Sequence, residues 1–216
     1  MILLHAFPLD GTMWAGVDGL PIDYPGTGSL ADWADLVASS MERPQAVCGI
    51  SMGGYAAFEL VRRHPGKIAR LVLADTRAEA DTAEAQQGRD AAVERVRREG
   101  VAAQFEATHQ ALLRKSPDAA VVQRARSIAC AQPPERVIAM LTALRDRGDS
   151  RDLLAGIAVP TTVICGSQDA ITPPAGARAM ADAIPGARYI EIADAGHLSV
   201  MEQPAAFAAG LGLQSA

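Results

Sequence analysis

The chain has 216 residues, of which 49% are hydrophobic and 21% are charged, and its formal net charge is −5. This composition predicts a soluble globular protein with a sizeable core, and it excludes a basic surface for nucleic acid or anionic lipid. No apolar run reaches the length of a membrane span, and the first residues lack the basic lead of a secretion signal. The three cysteines show no metal-binding spacing, so we expect reduced thiols in a cytoplasmic protein.

Six short and nearly continuously apolar segments predict strands that are buried on both faces of a parallel sheet. In chain order they are residues 2–4, a weak segment at 20–23, 45–48, 68–74, 161–165 and 188–192. Amphipathic patterns predict helices between or after them at residues 29–40, 52–64, 174–184 and 202–213. This alternation predicts an α/β fold with a mainly parallel, doubly wound sheet.

Residues 75–155 interrupt the alternation, because no strand pattern occurs there. Four helical segments are predicted at residues 82–99, 101–115, 118–131 and 134–147, separated by glycine and proline. A wholly helical block inside an α/β alternation is an insertion. We therefore predict a core of residues 1–75 and 156–216, with residues 76–155 forming a helical cap over the site.

The sequence Gly49-Ile50-Ser51-Met52-Gly53 lies between the third predicted strand and the helix that follows it. This is the G-x-S-x-G nucleophile elbow in its strand–turn–helix setting, where a sharp turn lifts the serine hydroxyl above the sheet. A serine hydroxyl is a poor nucleophile at neutral pH and needs a base. Ser51 is therefore the predicted nucleophile.

The predicted partners of Ser51 follow the last two strands. His197 comes after the strand at 188–192 and is the predicted base, and Asp169 comes after the strand at 161–165 and is the predicted acid. Both lie beyond the carboxyl ends of their strands, where sites form in open α/β sheets. Asp75 also follows a strand and is the alternative acid.

Negative charge that develops on a substrate oxygen needs preorganised donors. One predicted donor is the amide of Met52, directly after the nucleophile, and the other is the amide of Phe7, in the loop after the first strand. Losing one such donor typically costs about 3 kcal/mol of barrier. The side chains of Phe7 and Trp14 are candidate substrate-binding groups.

On these motifs the chain resembles the α/β-hydrolase superfamily, and most of all its capped esterase and lactonase branch, which includes 3-oxoadipate enol-lactonases and small carboxylesterases. Relatives usually have two more strands before the first motif, so the resemblance implies a sheet of about six strands with a shortened N-terminus and an exposed edge. The resemblance rests on residues 5–10, 23–29, 49–54, 71–76, 166–173 and 196–204.

The residues and the resemblance together imply a serine hydrolase that cleaves a small carboxylic ester or lactone through an acyl-enzyme. We expect no metal or organic cofactor, no nucleic-acid or membrane partner, and a monomer or homodimer. Three alternatives keep the same motifs. They are a cofactor-free perhydrolase or haloperoxidase, a carbon–carbon bond hydrolase, and a ligand-sensing relative with negligible turnover.

Overall fold

Six parallel strands form a single sheet in the computed structural model, which describes residues 1–212. Their spatial order is β2-β1-β3-β4-β5-β6, and every neighbouring pair is parallel. The predicted parallel α/β sheet is therefore confirmed. The strands are β1 (Ile2–Leu4), β2 (Leu20–Pro21), β3 (Gln45–Ile50), β4 (Ile68–Ala74), β5 (Thr161–Gly166) and β6 (Arg188–Ile192).

Helices connect the strands and extend across the inserted block. Short 3-10 turns occur at Gly11–Trp14, Pro65–Lys67 and Arg151–Gly156. The α-helices are α1 (Leu30–Ser39), α2 (Met52–Arg63), α3 (Ala83–Leu112), α4 (Ala119–Cys130), α5 (Pro134–Arg145), α6 (Pro174–Ala183), α7 (Ser199–Glu202) and α8 (Pro204–Gly210). None of the helices in residues 1–212 is long and apolar enough to cross a bilayer.

Two predicted elements differ from the structure. The predicted strand at 20–23 is only two residues long, and Pro21 fits there because the bonds to β1 come from the N–H groups of Leu20 and Ile22 on either side of it. The helix predicted at 202–213 begins two residues later, as α8, and is preceded by the short helix α7, which was not predicted; the predicted end at residue 213 lies outside the described residues. The break between α7 and α8 falls at Gln203, with φ −135° and ψ 61°, because a residue before proline disfavours the helical region.

The core lies in two layers, one on each face of the sheet, because successive strand residues point to opposite faces. Leu71 and Leu73 of β4 belong to the layer that α1, α2 and α6 cover. Val72 and Ala74 of the same strand belong to the layer on the other face, with Phe207 of α8. The continuous apolar pattern that predicted buried strands is explained by this arrangement.

Helices α3, α4 and α5 form the block between β4 and β5, and their apolar residues join the core layers. Met140 and Leu144 of α5 extend the first layer, and Phe105 of α3 and Ala129 of α4 extend the second. α3 is interrupted at Gly100, whose φ of 84° suits glycine, at the point where the sequence predicted a break. The division into core and cap domains stays a prediction.

A buried ion cluster anchors the start of this block. The carboxylate of Asp81 is fully buried and lies 2.8 Å from Arg77 Nη2, 3.1 Å from Arg89 Nε and 2.7 Å from Arg147 Nη2. The Arg147 guanidinium also stacks on the Tyr55 ring, with 4.1 Å between its central carbon and the ring centre. One carboxylate thus joins the loop after β4 to the first and last helical parts of the block.

Candidate active site

Ser51 lies in the turn between β3 and α2, and its backbone is strained. Its φ is 53° and its ψ is −113°, a conformation that side-chain-bearing residues rarely adopt. Two hydrogen bonds hold the turn: the Ser51 N–H donates to Ala74 O at 2.9 Å, and Thr76 Oγ1 donates to Ser51 O at 2.9 Å. A Cβ on Gly53 would overlap the Leu4 carbonyl, so glycine is required for α2 to approach β1.

Three side chains form a continuous hydrogen-bonded relay at the carboxyl edge of the sheet. His197 Nε2 is 2.8 Å from Ser51 Oγ, and His197 Nδ1 is 2.8 Å from Asp169 Oδ2. All three residues are buried, with at most 8% of their surface exposed. Because an ionised carboxylate only accepts hydrogen bonds, Nδ1 carries the imidazole proton and Nε2 accepts from the Ser51 hydroxyl.

The surroundings of Asp169 favour its ionised form. Its Oδ1 accepts hydrogen bonds from the N–H groups of Ile171 and Thr172, both at 2.8 Å, and Thr172 Oγ1 donates to its Oδ2 at 2.6 Å. Burial alone would raise the pKa of Asp169, but the charge of His197 and these donors outweigh burial and lower it. Burial likewise opposes protonation of His197, whose pKa is nonetheless raised by the Asp169 carboxylate.

Asp75, the alternative acid, has different partners. It is fully buried, and its oxygens accept hydrogen bonds from the Gly166 N–H at 2.9 Å, the Ser199 N–H at 3.1 Å and Ser199 Oγ at 2.5 Å. Within residues 1–212, the carboxylate hydrogen-bonded to His197 is that of Asp169. Burial, followed by the nearby charge of Asp169, raises the pKa of Asp75 to about 7.

The two predicted oxyanion amides lie in backbone positions that leave their N–H groups available. Met52 is the first residue of α2, where helical bonding supplies no acceptor. In the part of the chain that the structure describes, no protein atom accepts a hydrogen bond from the Phe7 N–H. His5 orders this loop, since its Nδ1 donates to Ala6 O at 3.0 Å and its Nε2 accepts from the Tyr24 N–H at 3.1 Å. Burial lowers the pKa of His5 to about 4.

The two candidate substrate-binding side chains have different surroundings. Phe7 is partly buried between the sheet layer and an apolar cluster of the inserted helices that includes Val96 and Val137. Trp14 is buried, with its ring centre 6.0 Å from that of Phe207. Phe7 therefore contacts the inserted block, whereas Trp14 packs in the core layer, and both binding roles stay predictions.

One group of possible metal ligands occurs among residues 1–212: Asp75, Cys165 and Asp169, whose ligand atoms lie within 4.8 Å of one another. Both carboxylates are engaged by the donors described above, and Cys165 Sγ donates to Thr172 O at 3.3 Å. These atoms are therefore parts of the hydrogen-bond network around the relay.

Sequence reasoning missed the supporting residues Thr172 and Ser199. Thr172 follows Asp169 by three residues, the spacing at which an aspartate accepts from the backbone of a following turn, so this signal was available. Ser199 has no such local signal, because its partner Asp75 is 124 residues away.

In this site a serine at a strand–turn–helix elbow is hydrogen-bonded to a histidine, which is hydrogen-bonded to an aspartate after β5. This arrangement defines the serine hydrolases of the α/β type. A family model described as Alpha/beta hydrolase family matches residues 1–210. The chain belongs to this family.

Known proteins with similar sequences or structures include esterases and lactonases. The chain is 28% identical to a pimeloyl-(acyl-carrier protein) methyl ester esterase of Aromatoleum aromaticum, over 94% of this chain and 93% of that protein. It is 31% identical to 3-oxoadipate enol-lactonase 2 of Acinetobacter baylyi, over 86% of this chain and 67% of that protein. The solved structure of a thermophilic esterase from Thermogutta terrifontis has a TM-score of 0.90 and 35% identity, over 98% of this chain and 87% of that one.

Proposed function

We propose that this protein hydrolyses a small carboxylic ester or lactone through an acyl-enzyme intermediate on Ser51. The observation that carries the proposal is the buried relay, with 2.8 Å between Ser51 Oγ and His197 Nε2 and 2.8 Å between His197 Nδ1 and Asp169 Oδ2. The relatives named above, two esterases and an enol-lactonase, support the same reaction class.

In the first half-reaction His197 Nε2 takes the proton of the Ser51 hydroxyl while Ser51 Oγ attacks the acyl carbon. Asp169 holds the imidazole in the required tautomer and stabilises the imidazolium that forms. His197 then gives the proton to the departing alkoxide, which leaves Ser51 acylated. In the second half-reaction His197 takes a proton from water, the hydroxide attacks the acyl carbon, and the free acid departs as the proton returns to Ser51 Oγ.

The amides of Phe7 and Met52 bind the oxyanion in both half-reactions. The position of Met52 at the start of α2 adds the positive end of the helix dipole to its N–H. The strained turn at Ser51 fixes this amide relative to the nucleophile, so donors are in place before charge develops.

Substrate shape is set by the inserted helices together with the side chain of Phe7, and Trp14 supports the loop from the core. The packing of Phe7 against Val96 of α3 and Val137 of α5 supports an apolar wall for the acyl or alcohol group. We also propose that the protein acts in the cytoplasm on a small molecule, as a monomer or homodimer.

The test is hydrolysis of p-nitrophenyl acetate. The wild-type protein should turn over many times, and Ser51→Ala should abolish turnover. Ser39→Ala is the matched control, since Ser39 is exposed and donates only to Leu36 O. Full activity in Ser51→Ala would contradict the proposal.

The alternative reactions reuse the same three side chains and are separated by product analysis. A perhydrolase would form peracid when hydrogen peroxide is added, and a carbon–carbon bond hydrolase would cleave a diketone faster than an ester. A ligand sensor would be acylated once by the aryl ester without sustained release of nitrophenol.

A further inference from the structure

Asp75 is a buried carboxylate that the mechanism above does not use. It directly follows β4, one of its oxygens lies within 4.8 Å of an Asp169 oxygen, and its φ of 43° places it in the left-handed region. A buried carboxylate is costly unless donors surround it, and three donors do. A buried carboxylate with all these donors, next to the relay, therefore needs a structural or catalytic explanation.

The three donors belong to the two segments that carry the relay. Gly166, which donates to Asp75 Oδ1, ends β5 and precedes Asp169 by three residues. Ser199, which donates twice to Asp75 Oδ2, begins α7 and follows His197 by two residues. The Asp75 carboxylate therefore ties the segment that carries the acid to the segment that carries the base.

The charges around Asp75 connect it to the base as well. The titratable groups that face it are Asp169 after β5, His197 before α7, Cys165 on β5 and Cys48 on β3. Burial raises the pKa of both thiols well above neutrality, and the pKa of Asp169 is lowered, so near pH 7 only Asp75 and His197 change their charge. Ionised Asp75 raises the pKa of His197, in the same direction as Asp169.

We propose that Asp75 is a positioning residue for the hydrolysis: its carboxylate fixes the segments that carry Asp169 and His197 relative to each other, without contact to the reacting atoms. This inference rests on the proposed function. It differs from the role of alternative acid, because Asp169 is the carboxylate hydrogen-bonded to the His197 Nδ1.

The test is Asp75→Asn in the full-length protein. Asparagine tolerates the left-handed backbone, but its amide has only one oxygen, so it cannot accept from both Gly166 and Ser199. We expect kcat to fall by about 10- to 100-fold, as a small misplacement of catalytic groups does, with KM changed less than about twofold. We also expect the acidic limb of the kcat profile to move to lower pH, because the imidazole loses a neighbouring negative charge.

The matched control is Asp194→Asn, the same substitution at another left-handed position. Asp194 has φ 52°, is exposed, and precedes His197 by three residues. This variant should keep both the wild-type kcat and the wild-type acidic limb. If placing asparagine at a left-handed position were itself the cause, kcat would fall in both Asp75→Asn and Asp194→Asn.

Three results would overturn the inference. The first is an Asp75→Asn variant identical to wild type. The second is a variant with a lower kcat but an unmoved acidic limb, which would indicate a purely structural role. The third is a variant as inactive as Asp169→Asn, which would make Asp75 the acid. Should Asp75→Asn not fold, Ser199→Ala removes one donor from Asp75 and should shift the limb in the same direction by less. Failure of the proposed function is distinct, since wild-type hydrolysis would then not depend on Ser51.

Discussion

The backbone strain at Ser51 has a structural cause in its neighbours. Its φ of 53° is sustained by two hydrogen bonds to the end of β4 and by the close approach of Gly53 to β1. Strain of this kind costs on the order of 1–3 kcal/mol and persists only where the surrounding fold imposes it. Here it places the hydroxyl within 2.8 Å of the imidazole.

Asp169→Asn should lower kcat by about 10⁴-fold, because an amide that donates to Nδ1 stabilises the wrong imidazole tautomer. The measurement is steady-state hydrolysis of p-nitrophenyl acetate. Asp182→Asn, at an exposed position of α6, is the control and should be fully active. If Asp75→Asn abolishes activity and Asp169→Asn does not, then Asp75 is the acid that acts on His197 and the assignment of Asp169 is wrong.

The pH dependence of kcat/KM follows from the environment of His197. The base must be neutral to accept the serine proton, and its pKa is raised above 6.5 because Asp169 outweighs burial. Activity should therefore rise with pH and reach half its plateau above pH 6.5. The profile should be measured at constant ionic strength, and a midpoint below 6.5 would contradict the account.

Much of the site could be predicted at this scale, because the elbow is a local pattern and the chain order of Ser51, Asp169 and His197 is diagnostic. The choice between Asp169 and Asp75 could not be settled from sequence, since both follow buried strands. It depends on the direction of the His197 ring, which only the packed structure provides.

At the scale of elements, the predicted bounds of strands and helices were right where the hydrophobic pattern determines them. They were wrong where a single residue determines them. β4 and β6 have the predicted bounds, because continuous apolar runs mark buried parallel strands. The last predicted helix begins two residues later than predicted, at Pro204, because Gln203 before the proline leaves the helical region. In the Asp81 cluster, the pair of Asp81 with Arg147 spans 66 positions and has no local signal in the sequence.

That cluster predicts a large effect of Asp81→Ala on stability. Removing the carboxylate would leave Arg147, whose side chain is 3% exposed, without its charged partner. Breaking a buried ion pair from one side typically costs about 3–5 kcal/mol. Urea denaturation of Asp81→Ala should show this loss in the free energy of unfolding.

The control for Asp81→Ala is Asp90→Ala, because Asp90 pairs with Arg145 on the surface. Exposed pairs of this kind contribute little, so its unfolding midpoint should stay close to wild type. Equal effects of the two substitutions would show that burial of the Asp81 cluster has no energetic consequence.

On the scale of the whole molecule, the inserted helices share the two core layers with the sheet. Met140 and Leu144 pack in one layer and Phe105 in the other, so the block and the sheet bury apolar surface against each other. The sequence predicted that the block is an insertion, because no strand pattern occurs there. The packing of the block could not be predicted, because periodicity shows which face of a helix is apolar but not which element covers that face.

This shared packing predicts one cooperative unfolding transition. The two tryptophans, Trp14 and Trp33, both lie outside the inserted block, so their fluorescence reports on the core. Circular dichroism at 222 nm reports on all helices, including α3, α4 and α5. The two signals should change at the same urea concentration, and an earlier loss of helix signal would show that the block unfolds separately.

The central claim is that Ser51 Oγ is the atom to which the acyl group is transferred. The most direct measurement is labelling with a p-nitrophenyl phosphonate, followed by mass spectrometry of the intact protein and of its peptides. We predict one phosphonyl group per chain, located on the peptide that contains Ser51, absent in Ser51→Ala and formed far more slowly in His197→Ala. A label on another residue, or equally fast labelling of Ser51→Ala, would contradict the account.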